Sequence, residues 1–289
     1  MGPAGWAYAD WKGKVYPPDM PRSLHPLAYL SRFFNTVEVN ATFYRPLPAR
    51  TAAPWLHHAG GNPDFLFAVK LWRVFTHERE AWPAATAVQE MEETLKPLAE
   101  AGKLGALLAQ FPWSFRRTPE DRTWLRRVTE AFAAYPLVVE LRHGSWDRPE
   151  VYAGLRERGV AFCNIDQPQI GDSLAPTEVV TAPLAYARLH GRNEADWFRE
   201  GADRNGRYNY LYSEAELAPW RARIKAMLAQ AARLFVVTNN HFEGQAVVNA
   251  LELLHGLGHP VQPPPQLCLA YPRLDGLGQA APAETGGPP

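Results

Sequence analysis

Short apolar runs that end in polar residues recur along this chain, and their spacing organises everything else. In Leu137 to Arg142 the alternation of strand side chains puts Val138, Glu140 and Arg142 on one face and Val139 and Leu141 on the other. The same grammar places Glu38 in step with Asn40 in Thr36 to Asn40, Asn164 in step with Asp166, and Arg188 beside His190 in Tyr186 to His190. Single polar ends close the runs at Lys70 and at Gln110, and the run from Leu234 ends in Thr238, Asn239, Asn240 and His241. Apolar stems with polar tips fit parallel strands that gather their carboxyl ends in one place.

Helical periods separate these runs. Leu27, Leu30, Phe33 and Phe34 predict a helix over 25–34, and Val88, Met91, Leu95 and Leu98 predict a longer one over 86–102, with Gly102 as a terminal glycine. Residues 119–134 carry Trp124, Leu125, Val128 and Phe132 behind Glu120 and Asp121, acids suited to a helix start. Further helices are expected at 149–158, at 213–232 behind a Ser213/Glu216 cap, and at 244–257. Strands alternating with helices imply crossover connections and a parallel sheet. Seven strands and a remnant at Gly2 to Trp6, in a chain of 289 residues, predict an α/β fold: a single-domain (β/α)8 TIM barrel with a short first strand. No glycine-rich phosphate fingerprint follows a strand, which argues against a dinucleotide fold. The barrel is expected over 1–275. Pro263-Pro264-Pro265 and 276–289 read as a tail, the latter disordered by composition.

Composition narrows the partners. The formal net charge is zero and the sequence pI is about 7.1, so the overall electrostatics of a nucleic-acid binder are missing. Cys163 and Cys268 have neither metal spacing nor a disulfide framework, and the start lacks the regions of a signal peptide. A cytoplasmic protein without a membrane partner is expected.

Pooling the strand ends at one barrel mouth collects Glu38, Asn40, Lys70, Gln110, Glu140, Arg142, Asp166, Arg188, His190 and Asn239. The bland alternative is an ion-pair network, Glu140 with Lys70 or Arg188 and Asp166 with Arg142 or His190, in which Arg142 merely seals Glu140. A metal could use Glu38, Glu140, Asp166, His190 and His241, yet Lys70, Arg142 and Arg188 sit among them. No metal and no cofactor is therefore expected. A small anionic or sugar-like ligand suits the inventory better, with nucleic acid as the alternative partner. Arg142 and Arg188 grip oxyanions, and Glu140, His190, Lys70 and Asp166 are the candidate catalytic groups. Glu38, Asn40, Tyr44, Gln110, Arg142, Trp146, Arg188 and Asn239 are the candidate ligand contacts. Trp6, Tyr8, Trp11, Tyr16, Phe43, Trp72, Trp197, Tyr208, Tyr210 and Tyr212 offer further stacking faces, and the arginine-rich segment 191–212 reads as a lid or a nucleic-acid contact.

Motifs spread over most of the chain carry a family resemblance. They include Gly5-Trp6-Ala7-Tyr8, Phe34 to Tyr44, Phe67 to Lys70 with Thr76-His77, and Gln110-Phe111-Pro112. Glu140-Leu141-Arg142 with Ser145-Trp146, Arg188 to Gly191, Tyr208-Asn209-Tyr210 and Asn239-Asn240-His241 complete the set. In these the sequence resembles the YecE-like family, a domain of unknown function. The resemblance implies a TIM barrel and leaves the activity open. The stretch before Gly2 is shorter than in the family, and Pro3 removes a backbone donor, so a weak first strand is expected. Three functions stand side by side: a hydrolase or phosphodiesterase acting on a phosphorylated sugar or nucleic acid, a Schiff-base lyase or aldolase using Lys70, and a non-catalytic binding barrel.

Overall fold

In a computed structural model, described here for residues 1–199, 201 and 204–278, eight parallel strands form one sheet. They are β1 (Gly2–Pro3), β2 (Thr36–Val39), β3 (Leu66–Lys70), β4 (Leu104–Gln110), β5 (Leu137–Glu140), β6 (Ala161–Asp166), β7 (Leu184–Leu189) and β8 (Arg233–Thr238). Hydrogen bonding runs β1-β8-β7-β6-β5-β4-β3-β2. A bridge from Ala4 to Glu38 then joins the two ends, with the Gly5 amide donating to the Glu38 carbonyl at 2.9 Å. The architecture is the expected (β/α)8 barrel. β1 is indeed only two residues long, and it lies close: a Cβ on Gly2 would stand 1.9 Å from the Thr36 carbonyl oxygen.

The helices outside the sheet are α1 (Pro26–Leu30), α2 (Ala52–Ala59), α3 (Ala85–Glu100), α4 (Pro119–Ala131) and α5 (Pro149–Glu157). They continue with α6 (Glu194–Trp197), α7 (Arg204–Arg207), α8 (Glu214–Leu228), α9 (Gln245–Gly256) and α10 (Pro265–Ala270). Local chemistry sets their starts. The Thr118 hydroxyl accepts the Asp121 amide ahead of Pro119 in α4, and Ser213 and Glu216 form a capping box on α8. Helix α2 was not expected, because Pro54, His57 and His58 obscure its period. The proline run is not a tail: Pro265 opens α10, which returns Leu267 to the core, and Leu274 follows it inward. The expected tail from 279 onward lies outside the described residues. No described helix is long and apolar enough to cross a membrane.

Strand register decides which side chains enter the barrel. Leu108 pairs with Val138, Gln110 with Glu140, Cys163 with Tyr186, Tyr186 with Phe235, and Arg188 with Val237. These residues line the interior, and Tyr186 stacks on Phe235 with ring centroids 5.8 Å apart. Gly105 leaves room for that stack, since a Cβ there would meet the Phe235 ring at 2.4 Å. The other parity packs against helices: Ala185, Ala187 and Leu189 of β7 meet Leu217, Trp220 and Ile224 of α8.

Candidate functional site

At the centre of the barrel Arg188 forks between two acids. Its Nη2 lies 2.6 Å from Glu38 Oε1 and its Nη1 2.5 Å from Glu140 Oε2, and all three side chains are buried. Tyr186 donates to Glu38 Oε2 at 3.1 Å. Glu140 Oε1 takes the Arg142 Nε at 2.7 Å and faces His190 Nε2 at 3.2 Å. Burial alone would raise the Glu140 carboxyl, but Arg188, His190 and Arg142 hold it well below the ordinary carboxylate range. His190 is pushed down to about 3 by burial, with Arg142 and Arg188 adding to the effect and Glu140 opposing it, so the ring is neutral at pH 7. The Asn239 amide, as assigned, donates to His190 Nδ1 at 3.0 Å, which leaves Nε2 carrying the proton toward Glu140.

Above this cluster opens a cavity of about 550 Å³ at the carboxyl ends of the strands. Asn40, Tyr44, Lys70, Gln110, Arg142, Arg188 and Asn239 line it, so most of the expected ligand contacts do converge. Its other cations are Arg73 and Arg207, and its aromatic faces include Tyr8, Phe43, Trp113, Trp197, Phe198 and Tyr208. Among the described lining residues none is acidic. Arg142 commits its Nε to Glu140 and sets its Nη2 3.4 Å from His190 Nε2, while its guanidinium also lines the cavity, 5.5 Å from the Trp197 ring centroid. Lys70 Nζ stands 4.1 Å from the Phe43 ring centroid, with no ion pair among the described residues. Burial lowers its pKa to about 7; Arg188 and Arg142 reinforce the shift, and Glu38 and Glu140 oppose it. His77 on the same wall is lowered to about 3, first by burial and then by Lys70, Arg142 and Arg73. The ionisable side chains that line the cavity are thus cationic or neutral among the described residues.

Asp166 does not join this group. Its carboxylate takes Arg192 Nε and Nη2 at 2.8 and 2.7 Å, the Tyr212 hydroxyl at 3.0 Å and the Trp220 indole at 2.5 Å. The expected pairing with Arg142 or His190 is absent because β6 is turned the other way. Cys163 faces Glu140, its Sγ 3.9 Å from Oε2, so Asn164 and Asp166 point into the helix layer. Trp146 is also elsewhere: it is buried on Phe115, 5.1 Å between ring centroids, and donates to that residue's carbonyl at 2.8 Å. Lys70 pairs with neither carboxylate, and Glu38 and Glu140 are instead shared by Arg188. Trp11 and Tyr212, expected at the mouth, are buried in the fold. Arg73, Trp113 and Phe198 line the cavity without having been expected there. They sit in loops, where no period marks them. Among the described residues no three His, Cys, Asp or Glu side chains come together as a metal site.

A closed parallel barrel with its polar strand ends at one mouth defines the class. Residues 1–268 match the family model described as "Protein of unknown function DUF72", and the chain belongs to that family. It is 30% identical to the UPF0759 protein YunF of Bacillus subtilis over 88% of this chain and 93% of the relative. Among solved structures it is similar to the DUF72 protein TM1631 of Thermotoga maritima, with 35% identity and a TM-score of 0.79 over 89% of this chain and 97% of that one. A DUF72 protein of Enterococcus faecalis shows 26% identity and a TM-score of 0.76 over 89% and 94% of the two chains.

Proposed function

We propose that the barrel mouth binds and transforms a phosphorylated sugar or nucleotide. The observation that carries this reading is the cavity wall, which sets cations beside aromatic faces with no described carboxylate among them. Guanidinium and ammonium groups complement a phosphate, and rings such as Phe43, Trp197 and Tyr208 complement the flat or apolar face of a sugar or base.

The same geometry assigns the chemistry within the ligand site. Glu140 is fixed as an anion by its partners, and both His190 nitrogens are engaged, so this pair holds Arg142 in place and is poorly suited to moving a proton. Lys70 is a lining group whose protonation changes near pH 7. An amine in that state serves either as a base toward water, as in phosphoester hydrolysis, or as a nucleophile toward a carbonyl.

Titration calorimetry with glucose 6-phosphate, inorganic phosphate and glucose tests the ligand class. Both phosphates are expected to bind and glucose to bind far more weakly. Arg142→Met should weaken phosphate binding by roughly 10- to 100-fold, the worth of hydrogen bonds to a charged group. Glu140 keeps Arg188 and His190 in that variant, and a thermal melt run alongside the calorimetry separates loss of binding from loss of fold. Equal affinity for glucose and its phosphate, or no response to loss of Arg142, would remove the basis of the proposal.

A further inference from the structure

We infer that Lys70 is an imine-forming nucleophile and that the ligand is a phosphorylated aldehyde or ketone. This rests on the phosphate-binding reading above and deepens it by naming the reacting group and the functional group it attacks.

The placement comes first. Lys70 closes β3 on the interior parity and presents Nζ to the cavity that holds Arg142, Arg73 and Arg207. Arg73 also pairs through its Nε with Glu78 at 2.7 Å, so Arg142 and Arg207 are the main grips, and a phosphate held by them leaves the remainder of a short ligand beside the amine. Glu38 and Glu140 are both bonded to Arg188, so no carboxylate neutralises Lys70 directly. A salt-bridged lysine would be locked as an ammonium without a lone pair. Here burial and two guanidiniums bring the amine to about 7, and roughly half of it is unprotonated at neutral pH.

The reaction balances with what the site and solvent supply. The neutral amine adds to the carbonyl carbon and gives a carbinolamine. The carbon–oxygen bond then breaks, the hydroxyl leaves as water with one proton drawn from solvent, and a protonated imine remains. That cation would form 4.1 Å from the Phe43 ring centroid, over a face whose quadrupole favours it. The buried Glu38 and Glu140 carboxylates attract the same charge. The imine then acts as an electron sink for bond breaking at the adjacent carbon.

Trapping with sodium cyanoborohydride, followed by peptide mass mapping of the full chain, tests the inference without any variant. The probes are dihydroxyacetone phosphate and dihydroxyacetone. Lys70 is one of six lysines, and Lys12, Lys96 and Lys225 are exposed internal standards. At pH 7 an ordinary lysine near 10.5 is unprotonated about once in 3,000 molecules, against about one half for Lys70, so labelling should favour Lys70 by more than tenfold even after its lower intrinsic reactivity. Inorganic phosphate should suppress the label, and Lys70→Arg should abolish it. Label spread evenly over the lysines overturns the inference. Absence of label with phosphate binding intact overturns it and leaves the ligand site standing, whereas loss of phosphate binding in the unmodified protein overturns both. Equal labelling by dihydroxyacetone overturns the phosphorylated substrate class.

Discussion

Arg188→Met is expected to lower the unfolding free energy by about 3 to 5 kcal/mol, the usual cost of removing one partner from a buried ion pair. The guanidinium is 1% exposed and answers two carboxylates that are themselves fully buried. Without it, Glu38 retains the Tyr186 hydroxyl, and Glu140 retains Arg142 and His190, but a formal negative charge is left over in the barrel. Urea denaturation of the two proteins measures the difference. Adding Glu38→Gln alone to the variant should return most of the loss, because it removes the one excess charge and leaves Glu140 paired with Arg142. A shift below about 1 kcal/mol in Arg188→Met would show that the cluster is solvated and the charge argument misplaced. The pH dependence has a definite sign. Glu140 has its carboxyl depressed in the folded protein, so its contribution is present above the unfolded carboxyl value near 4.5 and fades as pH falls through the lower folded value. In Arg188→Met that carboxyl rises toward its ordinary range. The stability gap between the two proteins should therefore hold from pH 7 down to about 4.5 and narrow as the pH falls further.

Asp166→Ala is expected to cost about 3 kcal/mol or more, since it strands two neutral donors and one guanidinium at a buried site. The effect extends beyond stability. Arg192 and Tyr212 flank the segment that carries Trp197, Phe198, Arg207 and Tyr208 to the cavity, and both are held by this one carboxylate. Phosphate affinity should fall together with the melting temperature, and calorimetry alongside a thermal melt will show whether the two move together. Asp166→Asn keeps one acceptor oxygen and should be milder on both counts. A proton-transfer role at Asp166 makes the opposite forecast: the Asn variant would be fully stable, with turnover abolished and affinity intact.

The barrel was legible in the sequence because apolar stems and polar tips repeat with crossover helices between them, and that pattern has few other solutions. The orientation of each strand was harder to read. Strands of a parallel barrel are buried on both faces, so alternation tells which residues share a side and not which side is inward. At β5 the charged parity, Glu140 and Arg142, faces inward. At β6 the small apolar parity of Cys163 does so, and Asp166 turns out to meet donors from Arg192, Tyr212 and Trp220. Those donors are distant along the chain, and no local spacing announces them. Lys70 was identified as a strand end, but its isolation from carboxylates depended on Arg188 occupying both, a choice made only by three-dimensional distances. The loop residues Arg73, Trp113 and Phe198 belong to segments whose course is set by tertiary contacts, and periodicity has nothing to say about them.

Glu38 acts at two levels at once. Its backbone carbonyl receives the Gly5 amide where the ends of the sheet meet, while its carboxylate grips Arg188 in the middle of the barrel. Opening of that narrow join is therefore expected to be felt at the charged hub, and loosening of the hub at the join. Amide exchange at Gly5 and the affinity of the mouth for anions become two gauges of a single motion, so a protein with a slack hoop would also be one with a blunted grip.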